Sequence, residues 1–262
     1  MSKRRATAGE TVADYDVRSP AVRTVATVLG TVLVVVLIAG LVLGLSVLMR
    51  ETKVVTSQVD VGQNSQVVIN ATTADIEVAE GEPDVVTITS SVTSGLRQTD
   101  YQVGRRGDEI KLVSTCQSWL NPGCGVKTRI EIPPGVQLQV RTTTGQVRVG
   151  ELSGGILTIR TTTGGVTATG LGVDEFTADT ELGDVTATFA TQPFGFKAST
   201  TLGDVVARIP SGDLTYAVTA ESEEGRVRSA LESNEDGQGF IRVTSLEGDV
   251  EIETIDPPDD EG

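Results

Sequence analysis

Between residues 136 and 252 one short pattern recurs six times, and a fixed period near twenty residues leaves few architectures open. Each copy turns on a glycine: Gly145, Gly164, Gly183, Gly203, Gly225 and Gly248, spaced by 19, 19, 20, 22 and 23 residues. Two residues after each glycine stands a valine (Val147, Val166, Val185, Val205, Val227, Val250). Three before it stands a hydroxyl (Thr142, Thr161, Thr180, Thr200, Ser222, Ser245). The position five before is apolar (Val140, Ile159, Ala178, Ala198, Ala220, Val243), and so is the position seven before (Leu138, Leu157, Phe176, Phe196, Val218, Ile241). A period of this length marks a repeat architecture in which each unit buries its apolar face only against its neighbours.

Within a copy the apolar positions alternate with mostly polar ones, which is the period of a half-buried strand. The hydroxyl and the glycine then turn the chain, the hydroxyl by bonding nearby backbone and the glycine by adopting angles other residues resist. A second short strand starts at the valine, and its next inward residue is mostly small: Val149, Ala168, Ala187, Ala207, Ser229, Ile252. Stacking these coils sets valine over valine and threonine over threonine, with strands about 4.8 Å apart. The expected fold is therefore all-β: a β-solenoid of two-strand coils, about 19 to 23 residues each. An open sheet or sandwich of hairpins is the alternative. Val67, Ile69, Ala74, Ile76 and Val78 form an earlier, degenerate copy that reads as a cap. Val85 to Pro134 breaks the period and reads as antiparallel hairpin material attached to that first coil.

Ahead of the repeats, Thr24 to Met49 is 26 residues without a charge. At about 1.5 Å per residue, that length of helix crosses a hydrocarbon core about 30 Å thick with some tilt. The stretch is longer than the apolar core of a cleavable signal peptide, so an uncleaved span is expected. Lys3, Arg4, Arg5, Arg18 and Arg23 precede it, whereas Arg50 and Lys53 follow closely, so the positive-inside rule puts the N-terminus in the cytoplasm and the bulk outside. The resulting plan is a disordered cytoplasmic tail (1–23), a transmembrane helix (24–49), a linker (50–57), an extracytoplasmic repeat domain (58–256) and an acidic tail (257–262). Gly40 and Gly44 form a G-x-x-x-G pair, a spacing that lets two spans approach closely, although glycine is common in such helices in any case.

Residues 1–53 carry seven Lys/Arg and four Asp/Glu; the remainder carry 14 and 32. So acidic an outer domain disfavours nucleic acid and suits cations or basic partners, or serves solubility alone. The chain has no histidine and two cysteines. Cys116 and Cys124 flank a loop containing Asn121-Pro122-Gly123, a turn signal that can bring the sulfurs together, and outside the cytoplasm a disulfide is the default. Two cysteines without histidine exclude the common zinc sites, and no catalytic triad can be assembled. Trp119, in the same loop, reads as packing over the disulfide. Asn70-Ala71-Thr72 matches a glycosylation sequon by chance in a threonine-rich turn.

Ile130-Glu131-Ile132-Pro133-Pro134-Gly135-Val136-Gln137-Leu138-Gln139-Val140, followed by Thr-x-x-Gly-x-Val units, resembles the bacterial "putative adhesin" domain family of uncharacterised function. Gly183-Asp184-Val185, Gly203-Asp204-Val205 and Gly248-Asp249-Val250 match most closely, and the likeness covers about residues 58–255. The resemblance implies stacked β-structure on an envelope protein, no common activity, and for some relatives a part in cell-envelope stress responses. Gln146, Gly165 and Arg226 depart from the usual aspartate.

In a sequential stack the residue after each glycine forms a column, with Asp184 beside Asp204 and Arg226 between Asp204 and Asp249. Asp184 and Asp204 are the candidate metal ligands, weighed against a plain Gly-Asp turn whose repulsion Arg226 relieves. No cofactor and no catalysis are expected. The function expected is a membrane-anchored structural or interaction module that presents strand faces to an envelope polymer or protein partner. Arg141, Arg148, Arg160, Thr158, Thr167, Thr177 and Thr186 are the exposed candidates on those faces. The alternatives are an accessory sensor in envelope stress signalling and, more weakly, a calcium- or glycan-binding protein.

Overall fold

The structure, a computed structural model, describes residues 20–60, 66–95, 100–106, 109–115 and 124–256. It divides into two units, Met1–Leu45 and Ser46–Gly262. The first contains most of helix α1 (Pro20–Leu48), which begins four residues before the charge-free stretch. Within it, Thr27–Leu48 has a mean hydropathy of 2.9 and is long and apolar enough to cross a membrane.

The second unit is built from strands. Its first part comprises β1 (Glu51–Asp60), β2 (Gln66–Glu80), β3 (Val85–Ser94), β4 (Asp100–Arg106), β5 (Glu109–Thr115) and β6 (Gly125–Ile132). The repeats supply β7 (Gln137–Thr144), β8 (Val147–Val149), β9 (Leu152–Ser153), β10 (Ile156–Thr163), β11 (Val166–Gly172), β12 (Glu175–Leu182) and β13 (Val185–Phe189). They continue through β14 (Gly195–Leu202), β15 (Val205–Pro210), β16 (Tyr216–Glu224), β17 (Val227–Ser229), β18 (Gly239–Glu247) and β19 (Val250–Ile255). The repeat strands pair in parallel, which a sandwich of hairpins could not do, and the fold is a β-solenoid.

Each coil places one strand in each of two faces. The first face runs β4, β5, β2, β7, β10, β12, β14, β18, β16. The second runs β1, β3, β6, β2, β8 with β9, β11, β13, β15, β19, β17. The fifteen-residue β2 turns the corner and contributes to both. Register matches like with like: Leu138, Leu157 and Phe176 stand opposite one another, as do Val147, Val166, Val185 and Val205. These residues are buried, and the alternate positions face outward. Phe176, Phe189 and Phe196 meet in the core, with Phe196 centroids 5.7 Å from Phe176 and 5.3 Å from Phe189.

The order of coils differs from the order of the chain at both ends. The Gly248 coil (β18, β19) lies between the Gly203 coil (β14, β15) and the Gly225 coil (β16, β17), so the fifth copy is outermost. At the other end β2 lies inside the stack, flanked by β7 and β8 on one side and by β5 and β6 on the other. The expectation of hairpin material over Val85–Pro134 is therefore half right. β3 pairs antiparallel with β6 and β4 with β5, but β5 and β6 run parallel to β2 and make a further coil. The pattern was hidden because β5 and β6 are separated in sequence by nine residues, more than the few around the glycine in the other copies. The segment 50–57 is not a linker either: it lies mostly in β1, paired antiparallel with β3 and exposed over most of its length.

Candidate functional site

The repeat corner shows what the motif residues do. Gly145, Gly164, Gly183, Gly203 and Gly248 have φ between 138° and 151°, and a Cβ on Gly183 would run into the Gly164 carbonyl. Glycine is thus required by both backbone angle and the close approach of adjacent corners. Gly225, in the outermost coil, is not among the positive-φ residues. The hydroxyls point inward and reach across to the neighbouring corner. Thr180 donates to Gly164 O at 3.1 Å, Thr200 to Gly183 O at 3.0 Å, Ser245 to Gly203 O at 3.0 Å and Ser222 to Gly248 O at 2.7 Å. Thr142 donates to Thr144 O instead, and the buried Thr161 hydroxyl has no partner.

The column after the glycine reads Asp75, Gln146, Gly165, Asp184, Asp204, Asp249, Arg226. Arg226 does not separate Asp204 from Asp249; it ends the column, because the fifth copy is outermost. Each aspartate accepts the backbone N–H of the next corner. Gln146 N donates to Asp75 Oδ1 at 3.1 Å, Asp204 N to Asp184 Oδ1 at 2.9 Å, Asp249 N to Asp204 Oδ1 at 2.7 Å and Arg226 N to Asp249 Oδ1 at 2.9 Å. The guanidinium of Arg226 also donates to Asp249 Oδ2 at 2.7 and 3.1 Å. These bonds hold the Asp249 carboxyl below its ordinary range and raise Arg226. Corner capping is therefore work that these aspartates do without any ion. Asp75 is an aspartate of this column that the degenerate first copy concealed. Among the described residues no cluster of three or more Asp, Glu, Cys or His could hold a metal.

Cys124 is disulfide-bonded, while Cys116 and Trp119 lie outside the described residues. Gly40 and Gly44 lie one turn apart on α1 with open space where side chains would stand. Asn70 is half-buried on β2, opposite Arg141.

The remaining candidates fall on the two outer faces. Arg141, Arg160, Thr158 and Thr177 belong to the β7–β10–β12 face, and Arg148, Thr167 and Thr186 to the β8–β11–β13 face. The three arginines and Thr167 are exposed; Thr158, Thr177 and Thr186 are half-buried, because close rungs shade a short side chain. On the second face a shallow cavity of about 380 Å³ is lined by Asp75, Glu77, Lys127, Arg129 and Arg148, among others. Arg129 bonds both Glu77 and Glu131, and Arg148 donates to the Gln146 amide oxygen. On the first face a trough of about 440 Å³ is lined by Arg141, Arg160, Thr162, Asp179, Glu181 and Ser199, with Thr142, Thr161 and Thr180. Arg160 Nε lies 3.2 Å from Asp179 Oδ2, and Ser199 donates to Asp179 Oδ1 at 2.7 Å.

Residues 125–255, half of the chain, match the Toastrack DUF4097 family. No curated protein matches the chain. Among solved structures, a "putative cell adhesion protein" from Clostridium sporogenes is similar at 10% identity and a TM-score of 0.42, over 78% of this chain and 100% of its own. A "putative adhesin" from Bacteroides fragilis is similar at 12% identity and a TM-score of 0.43, over 78% and 97%. A "putative lipid binding protein" from Parabacteroides distasonis is similar at 11% identity and a TM-score of 0.28, over 78% and 97%.

Proposed function

The chain belongs to the Toastrack DUF4097 family, and from that membership and its two outer strand faces we propose a membrane-anchored, extracytoplasmic scaffold that presents those faces to an envelope polymer or protein partner. The observation that carries this reading is the register. On each face two neighbouring outward residues are alike, Thr158 beside Thr177 and Thr167 beside Thr186, and the flanking rungs carry Gln139 and Lys197 on the first face and Arg148 and Val206 on the second. An open array of strand-borne side chains at about 4.8 Å spacing suits an extended partner better than a small molecule, which needs an enclosed pocket. The shallow form of the two troughs supports the same reading. So does α1, since basic residues crowd the sequence before it and the acidic repeats follow it.

The test uses the full-length protein in intact cells with a tag at the N-terminus. External protease should remove the strand unit and leave the tag protected in the membrane fraction. Crosslinking at the outer surface should then capture a stable complex through the strand unit. A protein released without its helix, or a tag cut from outside, would overturn the anchored arrangement. Failure of any outer-surface crosslink would overturn the scaffold role.

A further inference from the structure

We propose that Arg141 and Arg160 form a binding site for one oxyanion, a carboxylate or phosphate carried on an extended polymer, on the outer face of β7, β10 and β12. The inference rests on the reading of the strand faces given above and names the residues and the ligand chemistry of one of them.

Arg141 and Arg160 stand directly opposite each other on neighbouring parallel strands, about 4.8 Å apart along the stack. Like charges placed so are mildly destabilising, and nothing in the repeat demands them: the following rungs carry Asp179 and Ser199 at the same position. Two acids, Asp179 and Glu181, line the trough with the two guanidiniums, and of these Asp179 alone bonds an arginine among the described residues. Asp179 takes Arg160, and the Ser199 hydroxyl fixes that carboxylate in turn, so the Arg160 fork is held against the face. Arg141 is exposed and has no hydrogen-bond or ion-pair partner among the described residues; its other neighbour in register is Asn70, an uncharged amide. The unpaired Arg141 guanidinium thus stands beside a pinned one, with the Glu181 carboxylate two strands away on β12.

Two planar forks side by side can share one carboxylate or phosphate through several charge-assisted hydrogen bonds, which a pair of lysines could not do with the same geometry. Thr162 adds a hydroxyl to the trough, next to Glu181 on the neighbouring strand. The field of the domain agrees with the placement. Residues 66–163 carry nine Lys/Arg against ten Asp/Glu, whereas residues 164–262 carry five against twenty-one. An anion approaching the far half is repelled, and one approaching the Arg141 rung meets a nearly neutral surface on which that guanidinium is unpaired.

The experiment measures binding of the detergent-solubilised full-length chain to polygalacturonate, to polyphosphate and to neutral dextran at two salt concentrations. Binding to at least one charged polymer, weakened by salt, and none to dextran is expected. Arg141→Ala should weaken it about tenfold, the range for losing a charge-assisted hydrogen bond, and Arg160→Ala by a similar factor. Arg208→Gln, on the other face, should leave it unchanged. The thermal midpoint of Arg141→Ala should match the parent, because the side chain supports no other group. The arm that binds more tightly identifies carboxylate or phosphate as the source. Undiminished binding by Arg141→Ala would overturn this site while leaving the scaffold reading intact. Dextran bound as tightly as the charged polymers, or neither charged polymer bound, would overturn the oxyanion chemistry itself.

Discussion

The Gly203 coil and the Gly225 coil carry the same motif, yet they do not carry the same weight. Gly203 has φ of 151°, its partner Val205 is fully buried, and its corner is bonded on both sides. Gly225 is not in the positive-φ set, Val227 is 43% exposed, and all three residues of β17 face solvent. The difference is one of neighbours. A coil inside the stack is covered above and below, whereas the last coil is covered once, so an identical residue contributes to stability according to rung rather than type. At the edge, the Arg226–Asp249 pair adds a polar attachment to the one remaining neighbour.

The sharpest way to break the contrast is at the glycines. Gly183→Ala places a Cβ against the Gly164 backbone at a φ of 148°, and the expected loss is on the order of 3 kcal/mol or more. Gly225→Ala also meets a neighbouring carbonyl, that of Gly248, but the outermost coil can lift away from the rest. Its global cost should stay below about 1 kcal/mol, with faster amide exchange confined to residues 216–229. Chemical denaturation of the two variants decides between them; equal losses would mean that the outermost coil is as well supported as the Gly183 coil.

A smaller effect is expected at the hydroxyls. Thr200→Val removes the bond to Gly183 O and should cost about 1 kcal/mol. Thr161→Val removes a buried hydroxyl without a partner and should be neutral or stabilising. Thermal unfolding of the pair separates the two cases.

The smallest effects are those of pH. The Asp249 carboxyl is lowered by its bonds from Arg226, so its contribution is complete above the ordinary aspartate range and fades as the pH falls through the depressed value. Acid should therefore loosen the last coil first, and Asp249→Asn should remove that acid dependence. Burial pushes Tyr216 up to about 12, its hydroxyl donating to Pro193 O. For an acid whose folded value is raised, the contribution is complete below the ordinary tyrosine value of 10.0 and is lost as the pH climbs toward 12. Tyr216→Phe should flatten the alkaline limb of the stability profile, measured as thermal midpoint against pH.

Most of the coil could be read directly from the residues. Alternating apolar positions such as Leu157 and Ile159, a hydroxyl at Thr161 and a turn at Gly164 state strand, corner and inward face, because strand period and glycine sterics act over a few residues. The arginine pair was legible only as two exposed residues. That Arg141 is unmatched depends on Asp179 being committed to Arg160 and on Asn70 arriving from seventy residues upstream. The capping role of Asp75 was illegible for a related reason: its copy has Ala74 where the motif has glycine.

What the amino-acid sequence alone determined is the rung: a parallel β-solenoid with valine, aromatic and hydroxyl columns inside and glycine at the corners. What only the tertiary structure decided is which rung lies beside which. The edges of successive coils are nearly equivalent, so local pattern cannot tell the Gly203 coil to accept the Gly248 coil and leave the Gly225 coil outermost. That choice depends on long-range packing between strands far apart in the chain, as does the position of β2 between the coils on its two sides.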